Sequence, residues 1–256
     1  MQSPPTPFPD ATGARRRRLL AAGLALPALP WLAAPALSQV LPQPPAAAGA
    51  AGAITAPERA LFVRPHLAGM KPGQTLRYGF RHAGTLEAGF DDSVTIHLGP
   101  AAEGGCCSAR GEFLSGPRSM VLPDLPSATS NPVILYFLER DVREMQRLTR
   151  GQQNHFRKRI RLALAERGQM REVTLRWRGQ PVAGSEITVS PYLDDPNRMR
   201  FERFAGKHYS FVLSEAVPGG VVALRSTVAG EGGAAEPLIE DILTLDGAEP
   251  PPPART

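Results

Sequence analysis

The sequence predicts an α+β fold: a mostly antiparallel curled sheet, half-barrel or sandwich-like, with an inserted helical pair. Three observations carry this expectation. Two blocks of the chain, around residues 75–114 and 173–245, alternate apolar and polar side chains with period two. Between them, residues 131–168 change to helical spacing. Gly- and Pro-containing turns separate the alternating runs.

The first block holds three candidate strands. In TLRYGFRH, Leu76, Tyr78 and Phe80 alternate with Arg77, Gly79 and Arg81. In SVTIHL, Val94, Ile96 and Leu98 alternate with Thr95 and His97. This period places one face in a core and the other in water. Gly84 and Gly89 suit the connection to a hairpin or loop, and CCSARGEFL is a weaker third strand.

In the middle block, Ser130 or Asn131 is a helix cap with Pro132 in the first turn. Val133, Phe137, Leu138, Met145 and Leu148 then recur at helical spacing, and Gly151 interrupts. A second helix puts Phe156, Ile160 and Leu164 on one stripe and ends at Gly168.

The third block returns to alternation, with Val173, Leu175 and Trp177, then Ile187 and Val189. KHYSFVLS alternates Tyr209, Phe211 and Leu213; VPGG turns into VVALRSTV; LIEDILTL adds a last strand or short helix. The folded unit is residues 58–246. A Pro/Ala-rich linker, residues 39–57, precedes it, and a Pro-rich disordered tail, residues 247–256, follows.

Residues 1–38 read as an export signal. A polar leader precedes Arg15–Arg18, then Leu19–Leu32 is apolar and broken by Pro27 and Pro30, and Ala36-Leu37-Ser38 offers a small-residue cleavage site before Gln39. Arg16-Arg17-Arg18-Leu19-Leu20 fits the twin-arginine pattern, although Leu19 and Ala21 depart from its commonest residues; the general secretory route stays open. The apolar run is too short to span a bilayer, which takes about 20 residues. The first 38 residues carry four Arg and one Asp, so of the chain's formal +5 only +2 belongs to residues 39–256. A nearly neutral exported chain argues against nucleic-acid binding. The mature chain is expected to be soluble and periplasmic or secreted, with no transmembrane segment.

Few motifs carry chemistry. Cys106 and Cys107 are the only cysteines, a redox pair or a packing feature, with too few partners for a metal site. The five histidines lack zinc spacing. Asp91-Asp92 and Asp194-Asp195 read as turn residues. No nucleophile elbow or phosphate loop is present, so no catalytic residue, metal or cofactor is expected. Arg157, Lys158 and Arg161 give the second helix a basic surface suited to anionic headgroups or an acidic partner. Tyr78, Phe80, Trp177, Tyr209 and Phe211 fall on inward strand faces; in a curled sheet they line an apolar ligand cavity.

The segments NPVILYFLERDV, VTLRWRGQPVAGSEITV and HYSFVLSEAVPGGVVAL, in this order of elements, resemble the periplasmic half-barrel carriers of the lipoprotein-sorting type. The resemblance spans about residues 74–230 and rests on element order. It implies a curled sheet whose hydrophobic concavity is closed by helices. The expected function is therefore a non-catalytic carrier of an apolar or lipid-like ligand. The alternative is an envelope assembly factor that binds another protein through the basic helix and sheet edges. In either case the export machinery is the first partner.

Overall fold

The computed structural model describes residues 53–104, 106–230, 232 and 235–250. The expected export signal and its expected Ser38–Gln39 cleavage site, most of the expected linker and the last tail residues lie outside them. The strands are β1 (Thr75–Ala83), β2 (Phe90–Pro100), β3 (Cys106–Phe113) and β4 (Gln169–Trp177). They continue as β5 (Gln180–Val189), β6 (His208–Leu213), β7 (Val221–Val228) and β8 (Ile239–Leu245). All eight lie in one curled, unclosed sheet of order β3-β2-β1-β8-β7-β6-β5-β4, and every pairing is antiparallel.

The first and last strands meet at the middle of this sheet. Tyr78 pairs with Leu245 and Phe80 with Leu243. On β1 the burial alternates strictly, with Leu76, Tyr78, Phe80 and His82 inward. The register carries this inner face across Val94, Ile96 and Leu98 on β2 and Ile239, Leu243 and Leu245 on β8. It continues through Leu224 on β7 and Phe211 on β6 to Ile187 and Val189 on β5. A one-residue slip anywhere would turn these side chains outward, so the apolar pattern itself specifies the register. Edge strand β4 differs: none of its residues is buried, although Val173, Leu175 and Trp177 alternate as the inward residues of β1 do.

Two long helices stand between β3 and β4 in the chain: α2 (Val133–Thr149) and α3 (Gln153–Arg167). They follow α1 (Ala56–Glu58), which starts with a Thr55–Glu58 capping box and continues as a wider turn through Val63. Val133, Phe137, Asp141 and Met145, each four residues apart, form the buried stripe of α2. Phe156, Ile160, Ala163 and Leu164 are buried on α3. The N-cap position is Pro132, which has no side-chain cap bond; Asn131, expected as the cap, stands one residue earlier, and its Oδ1 accepts the Val133 N–H at 3.1 Å. A short helix, α4 (Glu202–Ala205), precedes β6. Among the described residues no helix is long and apolar enough to cross a membrane.

Two glycines show what local geometry demands. Gly84, at φ 131°, has the Leu238 carbonyl oxygen 2.4 Å from where a Cβ would stand, closing β1's loop against the segment before β8. Gly168 ends α3 with φ −56°, so its role is close approach: a Cβ there would meet the Leu164 carbonyl at 2.7 Å and Pro57 at 3.0 Å.

Candidate functional site

The inner side of α2 meets the sheet through charge. Asp141 is 1% exposed on the α2 stripe, and Lys207, just before β6, is fully buried. Lys207 Nζ contacts Asp141 Oδ1. Ser226 Oγ of β7 donates to the same oxygen at 3.1 Å, and Tyr209 OH of β6 donates to Asp141 Oδ2. Tyr192 OH stands 3.5 Å from Tyr209 OH. Burial, reinforced by the Asp141 charge, holds the Tyr209 and Tyr192 phenols well above their usual pKa. Both remain protonated donors.

A second carboxylate adjoins this group. Asp241 of β8 takes His82 Nδ1 at 2.6 Å on Oδ1 and Arg140 on Oδ2. Burial opposes its ionisation, but the His82 hydrogen bond and the charges of Arg140 and Lys207 hold it below the usual carboxylate range. The Arg140 guanidinium also lies 4.9 Å from the Phe80 ring centroid.

These polar residues occupy apolar registers. Asp141 stands between Phe137 and Met145 on its stripe, Lys207 is two before Tyr209, Ser226 sits between Leu224 and Val228, and Asp241 between Ile239 and Leu243. The pattern is present in the sequence, where each of these residues taken alone reads as an ordinary solvent-facing side chain.

The anticipated cavity residues are placed as follows. Tyr78, Phe80, Tyr209 and Phe211 face the inner side of the sheet, each at most 1% exposed. There they belong to the core that includes Phe137 and Met145 of α2. None of the four lines an open cleft among the described residues. Trp177 is partly buried at the β4–β5 turn, with the Arg178 guanidinium 4.6 Å from its ring centroid. Cys106 and Cys107 are joined to each other across a cis peptide; Cys107 is buried. His97, on the neighbouring strand β2, pairs with Glu112 at 3.4 Å. Asp194 pairs with Arg167 in its turn, as a loop residue would. Its neighbour Asp195 is 2% exposed and receives His155 Nε2 at 2.7 Å, anchoring that loop to α3. Among the described residues no group of three or more His, Cys, Asp or Glu side chains converges to hold a metal.

The outer side of the helices is an open trough of about 680 Å³. Phe62, Leu122, Leu125, Leu135, Ile160 and Leu164 floor it; Arg143, Arg157 and Arg161 stand at its rim with Glu139. Leu135, in the first turn of α2, is 54% exposed. Two of the three residues expected to form a basic surface, Arg157 and Arg161, are thus brought to this trough, whereas exposed Lys158 lies outside its lining. Arg157 is held by Glu139 through two hydrogen bonds, of 3.0 and 2.8 Å. Arg161 makes no hydrogen bond or ion pair among the described residues, and the i,i+4 spacing places it beside the Arg157 cation.

No protein-family model, curated protein or solved structure matches the chain.

Proposed function

We propose that the protein is an exported, periplasmic, non-catalytic carrier of a lipid-like ligand. The ligand lies in the outer trough between α2, α3 and the 121–125 segment, with its apolar chain on Leu122, Leu135 and Ile160. Its anionic head meets Arg161. The observation that carries this reading is an apolar trough of about 680 Å³ with an unpaired arginine at its rim, within the range of about 300–1,000 Å³ typical of small-ligand sites. The filled inner face of the sheet supports placing the ligand outside the concavity. In this reading the sheet is a half-barrel closed by the α2–α3 pair, and the pair's outer face is the binding element.

Native mass spectrometry of the mature protein purified from the periplasm, followed by lipid extraction, tests the proposal. One lipid per chain is expected, lost in Leu135→Asp and weakened in Arg161→Glu. A ligand-free protein that also fails to take up an anionic long-chain fatty acid in titration refutes it. A stoichiometric co-purifying protein would favour the assembly-factor alternative, for which edge strand β4, with no fully buried residue, speaks. The export step has its own check: replacing Arg16 and Arg17 together with Lys blocks translocation if the twin-arginine route is used. Normal export of that variant rejects the route.

A further inference from the structure

We propose that Lys207 and Asp141 are joined by an intramolecular isopeptide bond, formed by the fold itself, that ties α2 to the start of β6. The proposal is independent of the ligand. Its basis is the inner polar cluster, and four features of that cluster bear on it.

First, the two groups are in contact and sealed from solvent, at 0% and 1% exposure. Second, the contact lacks hydrogen-bond direction: Nζ finds no hydrogen-bond partner among the described residues although it touches Oδ1. An ammonium group carries three N–H donors, and a buried ion pair offsets its desolvation only when such donors are satisfied. Third, the carboxyl is flanked by two aimed donors, Tyr209 OH on Oδ2 and Ser226 Oγ on Oδ1. Fourth, a second carboxylate, Asp241, lies close enough to feel the Lys207 charge. An amide in place of the ion pair removes both buried charges and all but one of the orphan N–H groups.

The chemistry balances without a co-reactant. One ammonium proton passes to Asp141, giving amine and carboxylic acid. The Nζ lone pair adds to Cγ, and the negative charge that develops on Oδ2 is met by the Tyr209 hydroxyl, as in an oxyanion hole. A proton then moves from Nζ to the Oδ1 hydroxyl with which it is in contact. The Cγ–Oδ1 bond breaks, the carbonyl re-forms at Oδ2, and one water leaves. Holding both reactants in one site supplies an effective concentration of about 10⁵–10⁸ M in well-oriented cases, and exclusion of water opposes the reverse hydrolysis.

The decisive experiment is the intact mass of the purified full chain, followed by tryptic mapping. The expected mass is lighter by one water than the sequence requires, after allowance for the cysteine pair. Trypsin should fail to cleave after Lys207, and residues 141–143 should appear covalently attached to residues 204–225 as one branched peptide. The branch distinguishes the cross-link from other dehydrations and from the loss of ammonia when an N-terminal Gln cyclises. Lys207→Arg keeps the cation and should show the full mass. Tyr209→Phe keeps the ring and should give a mixture of linked and unlinked chains. An unmodified mass for the wild-type chain, with free peptides 141–143 and 204–207, overturns the proposal whatever the variants do.

Discussion

Each side of α2 departs at one place from the usual distribution of side chains, apolar inward and charged outward. Its inner side brings Asp141 and Arg140 to Lys207, Tyr209, Ser226 and Asp241, where apolar contact would ordinarily suffice. Its outer side exposes Leu135 and floors an open trough with leucines and isoleucine. Charged groups are almost never fully buried unless paired, whereas a contiguous exposed apolar patch marks an interaction surface. The same helix therefore carries two departures from the rule. The inner one concerns how the domain is held together, and the outer one what it meets.

The largest expected effect comes from breaking the inner side. Lys207→Ala removes the proposed link together with the buried partner, leaves Asp141 with only its hydroxyl donors, and should lower unfolding free energy by at least about 3–5 kcal/mol, the cost of losing one member of a buried pair alone. Urea denaturation measures it. Replacing both partners, Asp141→Leu with Lys207→Met, should recover the part of that loss that comes from the stranded charge, because a well-packed apolar pair has none. A double variant as unstable as the sum of the single ones would show that the two groups act separately.

A smaller effect arises at the entrance to α2. His66 is buried, with Nε2 2.8 Å from the Ala60 carbonyl and Nδ1 accepting the Asn131 N–H at 3.3 Å. Burial is the main cause that lowers its pKa below 6.5, the Ala60 bond opposes, and the Arg64 charge adds to the lowering. Above the unfolded value both states are neutral at this site. As pH falls below it, the unfolded chain takes up a proton that the folded one refuses, so stability declines until the folded value is passed. The urea midpoint should fall between about pH 7.5 and pH 5.5, and fall less steeply in His66→Gln. One proton held by the unfolded chain alone limits the difference in slope to about 1.4 kcal/mol per pH unit. Equal slopes in the two proteins would remove His66 from the account.

How much of this was legible in the sequence depends on which signal each element left. Period-two runs on β1 and β2 identified their inward residues, because those strands have one covered face. The same period on β4 marked residues that are only half-buried, Val173, Leu175 and Trp177, whereas the other edge strand, β3, buries Cys107, Ala109 and Phe113. The pairing of β1 with β8, residues apart by most of the chain, has no local signature. Neither does the trough, which joins Phe62, the 122–125 segment and two helices. The inner cluster did leave a trace. Asp141, Lys207 and Asp241 each stand at a position where periodicity calls for an apolar residue, and a polar residue at a core position that natural sequences keep is a place to look for special chemistry.

The smallest expected change in stability is at Leu135, and it separates the two sides of α2 most cleanly. The side chain is more than half exposed, so Leu135→Asp removes little burial and should shift unfolding by no more than about 0.5 kcal/mol, the usual range for surface substitutions. The same change puts a carboxylate on the trough floor, opposed to both the apolar chain and the anionic head of the proposed ligand. Loss of fatty-acid binding with an unchanged urea midpoint would assign the exposed leucine to recognition. A large loss of stability would instead mean that the 121–125 segment and α2 depend on Leu135 for packing, and the outer side would then be part of the core after all.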